Sequence, residues 1–137
     1  TTEVDNLLGG VNMALKNITI GDAELEVMKI IWKAKHPISS AEITKAVEKH
    51  GWKRTTVATF LSRLVDKGAI SAQKQGKLCY YTPLISQKEY RKTQTKNLIS
   101  VLYNGSVKEF AVSLFEEQKL SDKDIAELRA IFEDREE

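Results

Sequence analysis

The chain has 137 residues, 42% hydrophobic and 29% charged, with a formal net charge of +2, which suits one ordinary domain or a small domain with a helical appendage. No apolar run approaches the ~20 residues of a membrane-spanning helix, and no charged-then-apolar leader opens the chain. The single cysteine, Cys79, makes neither an internal disulfide nor a thiolate metal cluster, so a cytoplasmic protein without metal or cofactor is expected.

Residues 1–12 lack periodicity and contain Gly9-Gly10, so residues 1–19 read as an arm ahead of the fold. Met13 is an alternative natural start, with the preceding residues then foreign to the chain; the sequence leaves both readings open. Asp22 is positioned to cap a first helix that runs to about Lys35, with Leu25, Met28, Ile31 and Trp32 inward. His36-Pro37 ends it, because the residue before proline avoids helical geometry. Ser39 and Glu42 have capping-box spacing and open a second helix, about 40–50, that buries Ile43, Ala46 and Val47.

A third helix follows Gly51-Trp52, over 55–67. Val57, Phe60, Leu61, Leu64 and Val65 recur at the spacing of one apolar face. Thr55 is the expected N-cap, and Gly68 fits the left-handed position after the last turn. The opposite face carries Thr55, Thr56, Ala58, Thr59, Ser62 and Arg63, with no acid before Asp66. A water-facing helix usually mixes long side chains of both charges. Short hydroxylated side chains flanked by Lys53, Arg54, Arg63 and Lys67 instead suit close approach to a polyanion. Two short helices before such a third one make a helix-turn-helix arrangement.

After Gly68 the periodicity changes. Residues 70–74 and 78–82 are candidate strands joined by Gln75-Gly76-Lys77, a glycine-containing three-residue loop consistent with a bulged hairpin. Lys74 and Lys77 then sit near the tip of a wing that can reach backbone phosphate. Residues 53–77 hold six cations (Lys53, Arg54, Arg63, Lys67, Lys74, Lys77) against Asp66 alone, an electrostatic footprint for phosphate.

Pro83 ends the hairpin. Ser86 and Glu89 repeat the capping spacing and start a helix to about Tyr103, with Tyr90, Leu98, Val101 and Leu102 on one side. Asn104-Gly105 stops it. Ser106 begins a helix bearing Val107, Phe110, Ala111, Leu114 and Phe115; Ser121 caps a last one bearing Ile125, Leu128, Ile131 and Phe132. Three short amphipathic helices bury their own stripes poorly, so they are expected to pack on a second copy, the alternative being the winged unit. The fold class is therefore mainly α with a small β-hairpin: a winged helix-turn-helix domain over 20–84 and a helical dimerisation domain over 85–137.

Four segments, in order, resemble the penicillinase-repressor (BlaI/MecI-type) family of winged-helix regulators. Residues 23–32 (AELEVMKIIW) are similar to its first helix, and 55–64 (TTVATFLSRL) to its recognition helix. Leu102-Tyr103-Asn104-Gly105 followed by Phe115, and 120–128 (LSDKDIAEL), resemble its dimerisation domain. The resemblance implies a homodimeric transcriptional repressor on a palindromic operator in double-stranded DNA. It makes Thr56 and Thr59 candidates for base or nearby backbone contacts. Lys53, Arg54, Arg63, Lys74 and Lys77 are phosphate candidates, Arg63 alternatively pairing with an acid beside the helix. Where several family members hold arginine, which can read guanine, this chain has Ala58, so its operator differs or relies more on shape. Family repressors are released when a membrane sensor of β-lactams triggers cleavage in the dimerisation domain, often at Asn-Phe. The matching position is Ser113-Leu114 and no Asn-Phe pair occurs, so a sensor-linked protease of other specificity, or another signal, is implied. The Cys-x-Cys pairs of the copper-responsive branch are missing too.

His36 and His50 lie at helix ends and, with one thiol, imply no zinc site. Cys79 reads as a small packed hydrophobe, and Trp52 as packing beneath the third helix rather than stacking on a sugar-phosphate. No catalytic triad, phosphate-binding glycine loop or carboxylate pair stands out, so an enzyme is not expected. Two other classes fit the fold: a winged-helix protein-interaction module that never touches DNA, against which the basic segment argues, and a winged-helix regulator gated by a small ligand.

Overall fold

The computed structural model describes residues 18–117 and 120–134; the expected arm lies almost wholly outside the described residues. In chain order it contains helix α1 (Asp22–Lys33), strand β1 (Ile38–Ser39), helix α2 (Ser40–Ala46), a 3-10 turn (Glu48–His50) and helix α3 (Arg54–Asp66). Strands β2 (Ile70–Gln75) and β3 (Leu78–Pro83) follow, then helices α4 (Gln87–Leu102), α5 (Val107–Glu117) and α6 (Asp122–Asp134). Two compact units result, one ending at Gln94 and the other beginning at Thr95, with α4 running through the boundary.

The first unit is a winged helix. Its core is built from α1 (Val27, Met28, Ile31), α2 and its exit (Ile43, Val47), α3 (Val57, Leu61, Leu64) and the start of the hairpin (Ala69, Ile70). Every buried apolar side chain among the described residues lies between Ile18 and Ile85. The core thus reaches back to Ile18, inside the stretch expected to be an arm. It also reaches forward into α4: Gln94 Nε2 donates to the Ile18 carbonyl (3.1 Å), the Ile20 amide donates to Tyr90 Oη (3.3 Å), and Trp32 donates to the Ile85 carbonyl (2.9 Å) while its ring meets Tyr90.

The α1 face that points inward runs through Glu24, Val27, Met28 and Ile31, one residue round from the expected stripe; Leu25 and Trp32 are half-buried at its margin. Gly21, not Asp22, is the N-cap, because Glu24 lies three residues on and its carboxylate accepts the Gly21 amide (2.9 Å). Ser39 caps α2 as expected, accepting from the Glu42 amide (3.2 Å). That helix stops at Ala46 and tightens into the 3-10 turn, so Ala46 is exposed rather than buried. Ser86, Ser106 and Ser121 each accept the amide three residues on, at 3.0–3.1 Å, fixing the starts of α4, α5 and α6.

The wing differs from expectation in two respects. Gln75 pairs with Leu78 across β2 and β3, so the loop is the two residues Gly76-Lys77 with no bulge. Glycine is needed there because its φ is +64°. The sheet also has a third strand: β1 pairs antiparallel with β3, Ile38 opposite Tyr81 and Ser39 opposite Tyr80, in the order β1-β3-β2. A two-residue strand after a proline carries no alternation signal, so only the long-range pairing reveals it.

Candidate nucleic-acid interface

The surface is organised by how α3 is seated. Val57, Leu61 and Leu64 are at most 2% exposed, which turns the opposite side of the helix outward. Lys53, Arg54, Thr55, Ala58, Thr59, Ser62 and Arg63 are all exposed there. Thr56 is half-buried at the edge of this face, less free than its expected position on the polar side. Val65, expected inward, is 37% exposed.

The helix starts at Arg54, with Lys53 as N-cap and no side chain bonding the first amides. Thr55 is therefore not the cap; the first rung runs from the Val57 amide to the Lys53 carbonyl (3.1 Å). Thr55 instead receives, on its carbonyl, the hydroxyl proton of Thr59 (3.0 Å). No acid lies in the first turn, so the positive end of the helix dipole and two basic side chains coincide. At the other end Gly68 adopts φ +80°, and the Ala69 amide closes on the Leu64 carbonyl (3.0 Å).

Beneath the N-terminal half of α3, Trp52 stacks on the His50 ring (centroids 4.3 Å apart) and meets Phe60 edge-on (5.1 Å). His50 Nε2 lies 3.8 Å from Glu26 Oε2. Trp52 thus packs under the helix, as its position before it suggests. Lys74 and Lys77 are exposed, Lys77 in the loop and Lys74 one pair below it. The wing is anchored by a Ser71–Thr82 hydroxyl bond (2.7 Å) and β1 pairing. Cys79 is half-buried beside Tyr81. Burial, helped by a hydrogen bond with Cys79 and its charge, pushes the Tyr81 hydroxyl up to about 12.

One ion pair was not legible in the sequence. Lys67 Nζ donates to Glu24 Oε2 at 2.6 Å, so Lys67 does not belong with the free cations flanking α3. Burial works against the charged carboxylate of Glu24. The Lys67 and Gly21 hydrogen bonds and the charges of Lys67 and Arg63 outweigh it, holding Glu24 below its usual range. No ion pair to Arg63 forms among the described residues; the acid beside the helix pairs with Lys67 instead.

The second unit has no buried apolar residue among those described. Leu98, Val101, Leu102, Leu114, Phe115, Leu128 and Phe132 are exposed, and Phe110 and Ile125 half-buried, Phe110 against Tyr103 (5.5 Å). Phe115, Ile125, Leu128 and Phe132, with Arg129 and Glu133, line an open cleft of about 400 Å³. Ser113-Leu114 lies inside α5, where Ser113 Oγ donates to the Phe110 carbonyl (2.6 Å) and accepts from Tyr103 Oη (3.0 Å). Among the described residues no cluster of His, Cys, Asp and Glu could hold a metal ion, and no helix is long and apolar enough to cross a membrane.

Comparison with known proteins falls on the same elements. The penicillinase repressor family model matches residues 20–134. The penicillinase repressor of Bacillus licheniformis is 37% identical over 116 residues, 84% of this chain and 90% of that protein. The methicillin resistance regulatory protein MecI of Mammaliicoccus sciuri is 32% identical, over 85% of this chain and 94% of that protein. The solution structure of the DNA-binding domain of the repressor BlaI is similar at 44% identity and a TM-score of 0.48, over 53% of this chain and 88% of that one. With one family spanning both units, the chain belongs to the penicillinase-repressor family of DNA-binding transcriptional repressors.

Proposed function

We propose that two copies of this chain associate through α4–α6 and repress transcription by binding a two-fold symmetric operator. Each copy lays the exposed face of α3 in a major groove and sets the β2–β3 tip against the neighbouring backbone. The observation that carries this reading is the α3 face itself: seven exposed positions from Lys53 to Arg63, none acidic, on a helix whose other side is locked into the core. An interaction module facing an ordinary protein surface gains nothing from such a charge pattern.

The contacts divide by chemistry. Lys53, Arg54, Arg63, Lys74 and Lys77 neutralise phosphate and fix register, while Thr55, Thr59 and Ser62 meet base edges with hydroxyls and methyls. Thr59 directs its hydroxyl proton to the Thr55 carbonyl, so outward it offers an acceptor and a methyl group, suited to an exocyclic amine or a thymine methyl. Thr56, at the helix edge, contacts the backbone bordering the groove. Ala58 supplies no hydrogen bond, so discrimination at its position comes from apolar contact or DNA shape.

The dimer is supported by the second unit's apolar exposure, for helices with no buried residue among those described gain a core by association. The cleft between Phe115 and Phe132 is space that partner side chains fill. Release in the cytoplasm by a sensor-linked protease acting at Ser113-Leu114 requires α5 to open locally, since that bond lies in a regular helix. Fluorescence anisotropy of wild type and Thr59→Ala on promoter duplex and random duplex tests the α3 assignment. The variant should lose specific affinity and keep non-specific affinity; equal losses on both duplexes would contradict it.

A further inference from the structure

Glu24 is the one charged side chain buried among the described residues, 5% exposed. A carboxylate so placed is costly unless it is paired and hydrogen-bonded. Here it has both kinds of partner: one oxygen, Oε2, accepts from the Gly21 amide (2.9 Å) and from Lys67 Nζ (2.6 Å). Glu24 sits in the first turn of α1 and Lys67 is the C-cap of α3, so the pair joins the start of one helix to the end of the other across 43 residues of sequence. Arg63 lies one turn before Lys67 on α3, close enough for its charge to act on the same carboxylate.

The contacts of Val57, Leu61 and Leu64 with the core seat one face of α3, and contacts of this apolar kind are non-directional. A short ion pair at one end, its carboxylate buried and its ammonium partly exposed, adds a directional contact that holds the end of the helix. The same bond takes a cation out of circulation: Lys67 extends from the DNA-facing helix, and unpaired it can reach phosphate.

Resting on the operator-binding reading above, we infer that Glu24 is a positioning and specificity-determining residue for DNA recognition. It clamps the C-terminal end of α3 through Lys67 and withholds that lysine from the DNA backbone. Glu24 itself touches no DNA; it sets the angle at which Thr55, Thr59 and Ser62 enter the groove and limits sequence-independent attraction.

The test uses Glu24→Gln, which keeps the side chain's shape and an acceptor for the Gly21 amide, on the full chain, with promoter and random duplexes across a salt series. For Glu24→Gln, the ratio of specific to non-specific affinity should fall about tenfold or more. The slope of log affinity against log salt on random duplex should steepen by about one as Lys67 becomes available to phosphate. Lys67→Met in the Glu24→Gln background should return that slope to the wild-type value without restoring the ratio. Lys67→Arg, which keeps a charged donor for the carboxylate, should preserve the ratio. A merely structural role lowers melting temperature and moves neither quantity; unchanged ratio and slope in Glu24→Gln would overturn the inference. Failure of wild type to prefer its promoter would instead remove the operator-binding reading itself. If Glu24→Gln does not fold, Lys67→Met in the wild-type background decides: the inference expects the ratio to fall with the random-duplex slope unchanged, and an unchanged ratio overturns it.

Discussion

At the residue scale, charge and hydroxyl chemistry make separable claims. Lys74 and Lys77 stand near the tip of a hairpin closed by a two-residue loop and paired with β1 at its other end. Replacing either with alanine should weaken binding equally on promoter and random duplex and reduce the salt slope by about one. An unchanged slope would place the wing away from the backbone. Glu24 makes a pH prediction as well. Its folded-state pKa lies below the ordinary glutamate value of 4.5, so the pair's contribution to stability is present above pH 4.5 and is lost as pH falls through the folded-state pKa. Thermal melts below about pH 4.5 should therefore show wild type losing stability faster than Glu24→Gln; parallel curves would show that the pair contributes nothing net.

At the scale of elements, each serine cap holds one helix start. Removing Ser39, whose hydroxyl accepts the Glu42 amide, should cost about 1 kcal/mol by denaturant titration, and no loss would mean that water replaces it fully. These local features were the ones legible in the sequence. Ser39, Ser86, Ser106 and Ser121 declare helix starts because cap and amide lie three residues apart. Gly68 and Gly76 declare turns because only the backbone at those positions matters. The helix-turn-helix, the hairpin and the polar face of α3 follow from such short-range rules. What escaped was long-range or sat against the apolar pattern. Strand β1 exists only because β3 lies beside it. Glu24 fills a core-facing position that hydrophobic periodicity assigns to apolar residues, rotating the expected α1 stripe by one residue. Lys67 reads as another free cation in the sequence because its partner is 43 residues away. A threonine before an apolar run reads as a cap, but it also occurs inside a first turn, where α3 places Thr55.

At the scale of the whole molecule, the two units contrast: one has a core from Ile18 to Ile85, while the other has no buried apolar side chain among the described residues. Exposure of this extent on α4, α5 and α6 supports the proposed association with a second copy, which would supply identical faces under two-fold symmetry. Leu114→Asp should then yield monomers by sedimentation with the winged unit still folded, and a persisting dimer would move the interface elsewhere. In the proposed dimer, association and DNA recognition are coupled by geometry, because two α3 helices held at fixed separation would read half-sites at fixed spacing. A monomeric variant should retain weak binding to one half-site and lose most of its promoter preference. The central claim is tested most directly by footprinting purified wild-type protein on its own promoter region at near-physiological salt, against random duplex. The account predicts a preference of ~10³ or more and two protected half-sites about one helical turn apart; weak, equal binding to both duplexes with no footprint would contradict it.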